Sequence, residues 1–135
     1  MMLVLAVAVM FCAPVRAESK REYQQRFQMM LDYAVRSNEY IRLHLGDRGL
    51  CAYAADMAAK NADAAEQMTP PPLYADLHPH FLLVLENIER AFYYASKGKL
   101  ERYRHHQKIV RKELRILEAM AEKERLQLYL WDRDW

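Results

Sequence analysis

The chain has few residues that break helices: three glycines and five prolines among 135 residues. Apart from two prolines, all of them fall at three places, namely Gly46 with Gly49, the run 70–72, and Gly98. These breakers divide the 118 residues after position 17 into four segments with apolar residues at helical spacing. No strand pattern or internal repeat competes with that interpretation. The sequence therefore predicts an all-α fold, specifically an antiparallel up-down-up-down four-helix bundle.

Long apolar runs are also lacking. The longest, residues 1–13, is shorter than the ~20 residues that a helix needs to span a bilayer. Its length is that of the apolar region of a signal peptide, although no Lys or Arg precedes it. Val15 and Ala17 supply small residues at the two positions before the cleavage site that a signal peptidase recognises. We therefore expect residues 1–17 to be a signal peptide and residues 18–135 to be one bundle domain in the periplasm or secreted, without a transmembrane segment.

Cysteine is scarce, with two residues in the chain. Cleavage would leave Cys51 alone, so an internal disulfide is excluded and the fold must depend on its apolar core. Cys51 then either pairs between molecules or occupies a buried position among small apolar residues. The Cys-x-x-Cys-His motif for covalent haem attachment is absent from the sequence.

A large excess of charge is absent too. Removal of Arg16 would leave 19 basic against 18 acidic residues, a net charge of +1, which argues against a nucleic-acid-binding protein. Locally, however, residues 97–115 contain eight basic and two acidic residues. The candidate binding residues within this stretch are Arg102, Arg104, His105, Lys108, Arg111 and Lys112. They could bind an acidic protein, an anionic lipid or a polyanion. Alternatively they form a solvated helix face, partly neutralised by carboxylates of the first two helices.

The predicted helices cover about 19–45, 50–68, the region after the prolines, and 99–131. The second is rich in alanine, which permits close approach but adds little burial energy. In the third, Pro79 either begins the helix after a separate short turn, which we favour, or kinks a longer helix. The last residues of the chain are unusually apolar. We expect them to be covered by the connection 70–74, or by a second subunit in a homodimer.

Part of the sequence resembles the periplasmic four-helix cytochromes of the b type. The matching residues are Thr69-Pro70-Pro71, Phe81, Leu83-Val84-Leu85, Ile88, Ala91-Phe92, Ala95 and Gly98-Lys99. The resemblance implies a bundle in the periplasm, with haem held between a methionine of the first helix and a histidine near the end of the last. Met29 or Met30 could supply the first ligand. The ungapped register, however, places Glu118 where the histidine belongs, and no histidine follows His106.

Catalytic and metal motifs are not evident. The Glu-x-x-His pattern of metal sites in bundles is missing, and no serine has a recognisable activating neighbour. We therefore predict no enzyme and no cofactor. The leading hypothesis is a small secreted binding protein of the accessory, inhibitor or immunity type with an unknown, acidic protein partner. The alternative is a haem or metal carrier that uses Met29 or Met30 with His105 or His106.

Overall fold

The computed structural model describes residues 19–124 and residue 126. Within them the chain forms four long helices: α1 (Lys20–Arg42), α2 (Arg48–Glu66), α3 (His78–Ser96) and α4 (Leu100–Lys123). A single 3₁₀ turn, Pro72–Tyr74, precedes α3, and the described residues contain no strand. The expected all-α, four-helix fold is thus confirmed for this part of the chain. The predicted signal peptide lies outside the described residues.

The helix ends follow from local hydrogen bonds. Ser19 caps α1 by accepting from the Glu22 N–H, and Asp47 caps α2 by accepting from the Leu50 N–H. At the end of α3, Gly98 has a φ of 70°, which favours glycine. The N–H of Lys99 then reaches back to the carbonyl of Tyr94, at 2.9 Å. Gly98 therefore ends α3 and turns the chain into α4.

Pro79 lies in the first turn of α3, where the missing proline N–H has no intrahelical partner to lose. The favoured interpretation, a separate turn followed by a helix that starts near Pro79, is confirmed. By contrast, the prediction that the last helix continues to about residue 131 is wrong, because α4 ends at Lys123. The N–H of Leu126 bonds to the carbonyl of Ala121, and Leu126 packs against the core. This is the hydrogen bond of a Schellman motif, which terminates a helix.

Packing between the helices depends on side-chain size. The inner face of α2 consists of small residues, and α2 contacts α3 closely along its length. The side of α1 that faces the core carries larger residues. Phe27 packs on Phe81 of α3 with ring centroids 4.4 Å apart, and Tyr23 packs on Tyr74 at 4.8 Å. Tyr74 thus closes one end of the core. The apolar residues 127–135 lie outside the described part of the chain.

The predicted core positions are largely correct. The apolar spacing predicts an inner stripe for each of the first and third helices, formed by Tyr23, Phe27, Met30, Ala34 and Ile41 and by Leu77, Phe81, Val84, Ile88, Phe92 and Ala95. All of these residues are buried, and Ile41 has 1% exposure. In α4, Leu100 is an exception, because it is exposed at the start of the helix. Among the helices that the structure describes, none combines the length and the apolar character needed to cross a membrane.

Candidate functional site: the outer surface of the last helix

The rotation of α4 about its own axis is fixed by its inner face. Its buried residues are Tyr103, Gln107, Val110, Glu113, Leu114, Leu117 and Ala121. Two polar contacts, one buried and one partly buried, add to this packing. The amides of Asn38 and Gln107 exchange hydrogen bonds of 2.9 and 2.6 Å between α1 and α4, and His80 of α3 contacts the Glu113 carboxylate. A one-residue slip of α4 would break both contacts, so they determine which residues face solvent.

Five basic residues share the outward side of α4. Four of them are exposed and Arg111 is half-buried. At about 100° per residue they fall within an arc of about 100° around the helix. We call this surface the basic stripe, formed by Arg104, Lys108, Arg111, Lys112 and Arg115. Four of the six predicted binding residues are therefore brought together.

The other two predicted residues lie elsewhere on α4. Arg102 is about 160° around the helix from Arg104. Its guanidinium lies 5.2 Å from the ring centroid of Tyr94 on α3, and its Nη1 donates to the Tyr94 hydroxyl at 3.3 Å. His105 is exposed and borders both the basic stripe and the shallow depression beside Tyr94. Arg102 thus belongs to the α3–α4 side of the molecule.

His106 is held at the same side. Its ring stacks on Tyr94 with a centroid distance of 5.4 Å, and its Nδ1 lies 2.9 Å from Oδ1 of Asn87. Because the Asn87 amide nitrogen donates to the Leu83 carbonyl, its oxygen is the acceptor, and the Nδ1–H of His106 donates the hydrogen bond to it. Desolvation, followed by repulsion from His105, Arg90 and Arg102, lowers the pKa of His106. His106 therefore stays neutral at pH 7 and does not extend the positive surface there.

The side chains of the basic stripe form no ion pair within the described residues. Glu101 and Glu118 nevertheless lie three residues from Arg104 and Arg115 along α4. On α1, Asp32 pairs with Arg36 at 3.1 Å and Glu39 pairs with Arg42.

The structure also exposes a surface that the sequence reasoning missed. Met29, Tyr33 and Tyr40 of α1 and Tyr53 of α2 are between 46% and 67% exposed. They line a groove of about 540 Å³ between the two helices. Met29, Tyr33 and Tyr40 follow at steps of four and seven, so they form a second apolar stripe beside the core stripe of α1. That spacing was the available signal. We call this surface the tyrosine face.

The proposed haem ligands do not converge. Met29 is exposed and Met30 is buried, with the Met30 carbonyl accepting from Asn61 of α2. His106 lies next to Gln107, and Gln107 bonds to Asn38 of α1. Asn38 is eight residues from Met30 along α1. Eight residues correspond to about 12 Å along the helix, so Met30 and His106 lie at different levels. Among the described residues, no group of three potential ligands is arranged to hold a metal ion.

The remaining cysteine is part of the core. Cys51 is fully buried, and its thiol lies 3.8 Å from the carbonyl of His44. Burial raises the pKa of this thiol, which disfavours the reactive thiolate. Of the two interpretations of Cys51, the buried small residue is the one that the structure supports.

Comparison of the chain with family models, with curated proteins and with solved structures finds no match. The surface chemistry of the bundle is therefore the basis for assigning a function.

Proposed function

We propose that this protein is a small binding module of the accessory, inhibitor or immunity type, which acts by protein–protein contact and not by catalysis. The basic stripe of α4 docks on an acidic surface of its partner. The observation that supports this most directly is the set of five basic side chains without a carboxylate partner among the described residues.

The arrangement of the stripe lowers the stability of the free protein. Arg104 and Lys108, Lys108 and Lys112, and Arg111 and Arg115 are like charges four residues apart on one helix. Each such pair destabilises a helix by roughly 0.2–0.5 kcal/mol. An acidic partner would turn this repulsion into attraction and would also speed association by electrostatic steering. A binding role therefore accounts for a pattern that folding alone disfavours.

The proposed architecture is an antiparallel up-down-up-down bundle. Two contacts between α3 and α4 support it: His106 meets Asn87, and Glu113 meets His80. From the first contact to the second, the sequence number rises by seven in α4 and falls by seven in α3, which is the relation expected for two antiparallel helices. Between α1 and α2, the contact of Asn61 with the Met30 carbonyl joins residues at similar distances from the intervening turn. This arrangement leaves the outward side of α4 open to a partner.

The proposed compartment is the periplasm or the extracellular space. Its support is the apolar leader 1–17. The resemblance to b-type cytochromes agrees with this compartment, and we do not extend it to haem binding.

Charge reversal tests the proposal. The triple variant Arg104→Glu, Lys108→Glu, Arg111→Glu should keep its helical circular dichroism, because Glu and the replaced residues have similar helix propensity. A matched control, Lys20→Glu, Arg21→Glu, Lys60→Glu, changes the net charge equally at exposed positions away from the stripe. We expect wild-type and control proteins, immobilised at low salt, to retain the same acidic protein from an extract of the native compartment. The stripe variant should lose it. Equal retention by all three would refute the proposal.

A further inference from the structure

The tyrosine face is the second exposed surface that folding does not explain. Its three tyrosines and Met29 leave large apolar areas in water, and Ile41 and Leu50 extend the same groove toward the core. Tyr40 is held in place, because its ring stacks on His44 with a centroid distance of 4.2 Å. Tyrosine and methionine are enriched in protein interfaces, and contiguous apolar patches on small proteins mark interaction sites.

The charges on and around this face indicate its occupant. The charged residues that line the groove are Asp32 and Arg36, which form an ion pair with each other. A second copy of the same face would therefore bring one acid and one base, with no net charge. In a two-fold arrangement each Asp32 can also approach the partner's Arg36. The tyrosine face is thus compatible with pairing to itself.

The other prominent surfaces of the bundle disfavour such pairing. The basic stripe would meet a second basic stripe. The α2–α3 edge would bring acids together, because Asp63, Glu66 and Glu86 lie near Glu89. The pKa of Glu89 is raised first by desolvation and then by their repulsion, and Arg90 offsets only part of this effect. Like charges facing each other across an interface are strongly unfavourable. A two-fold dimer is therefore best accommodated by the neutral, aromatic side of α1 and α2.

We propose that two copies of this chain form a two-fold dimer through the tyrosine face. The four exposed side chains alone contribute on the order of 450 Å² per copy. A stable interface buries about 800 Å² per partner, so these side chains supply more than half and the surrounding rim of the groove must supply the rest. The dimer leaves both basic stripes exposed, since no residue is shared between the two surfaces, and it would bind a repeated or dimeric acidic partner with added avidity.

Sedimentation equilibrium of the full chain tests this dimer. At about 100 µM the wild-type protein should show twice the mass of one chain. The double variant Tyr33→Glu, Tyr53→Glu places four carboxylates in the interface and should weaken dimerisation at least ~100-fold. Tyr93→Glu is the matched control, because Tyr93 is 50% exposed on α3, away from the tyrosine face. It should leave the dimer intact. Circular dichroism verifies that all variants stay folded.

Two further results separate this proposal from the role of the basic stripe. The stripe variant should remain dimeric, and the wild-type dimer should persist from about 50 to 500 mM salt, because apolar contacts are not screened. A wild-type protein that is monomeric at about 100 µM overturns the dimer. The tyrosine face would then be a surface for binding a different protein. A dimer that survives in the Tyr33 and Tyr53 variant, or that dissociates with added salt, also overturns it. None of these outcomes affects the binding test of the basic stripe.

Discussion

Replacement of Lys108 by glutamate should make the free protein more stable. Lys108 is exposed at the centre of the basic stripe, four residues from both Arg104 and Lys112. Glutamate has a helix propensity close to that of lysine, so the change acts chiefly through charge. It replaces two repulsive pairs by two attractive ones, and the new pair with Lys112 has the favourable order of acid before base.

The expected gain follows from these two pairs. Each like-charge pair costs roughly 0.2–0.5 kcal/mol, and the corresponding attractive pair stabilises by a similar amount. Two conversions therefore amount to about 0.8–2 kcal/mol at low ionic strength. For a domain of this size, 1 kcal/mol corresponds to a rise in melting temperature of about 4 °C. At about 1 M salt the Debye length is about 3 Å, so most of the gain should disappear.

Thermal unfolding followed by circular dichroism, at low and high salt, measures this effect. Lys60→Glu is the control with the opposite expectation, because exposed Lys60 lies four residues after Asp56 and three before Asp63 on α2. The same substitution should lower the melting temperature there. If Lys108→Glu is no more stable than wild type at low salt, the stripe is not under electrostatic strain. A gain that persists unchanged at high salt would also refute the explanation.

Three further predictions concern the core and the turns. Asn38→Leu leaves the buried Gln107 amide without its partner and should lower the free energy of unfolding in urea by about 1–3 kcal/mol. Adding Gln107→Leu should recover most of that loss. A double variant no more stable than the single one would contradict this prediction. In the folded protein the pKa of His106 is lowered below its unfolded value of about 6.5, so protonation favours the unfolded state. The free energy of unfolding should therefore fall as the pH drops from about 7. In His106→Gln this pH dependence should be shallower than in wild type, and an identical slope would count against it. Gly98→Ala should cost about 1 kcal/mol, because a φ of 70° is strained for alanine. A neutral effect on thermal unfolding would be inconsistent with that turn.

The helices could be predicted because local chemistry decides them. Glycine and proline positions separated the four segments, and apolar spacing identified inner residues such as Phe27 and Phe81, which are fully buried. The end of α4 could not be predicted in this way. The sequence after Lys123 remains apolar at helical spacing, but Leu126 folds back onto the core and ends the helix through tertiary packing.

The candidate site was predictable only in part. The density of basic residues in the last helix is visible in the sequence, but which of them share a face depends on how α4 is rotated in the bundle. The Asn38–Gln107 pair and the contact of His80 with Glu113 fix that rotation, and neither pairing can be deduced from spacing. The exposure of Tyr33 and Tyr40 likewise depends on which side of α1 the other helices cover.

The most direct test of the central claim is the dissociation constant of the purified partner for three proteins: wild type, the Arg104, Lys108 and Arg111 reversal, and the Lys20, Arg21 and Lys60 control. Calorimetry at about 50 and 500 mM salt should show tight, salt-sensitive binding for wild type and control. The stripe variant should bind at least ~100-fold more weakly at low salt. A stripe variant that binds as tightly as wild type, or wild-type affinity that does not change with salt, would contradict the assignment of the basic stripe as the binding surface.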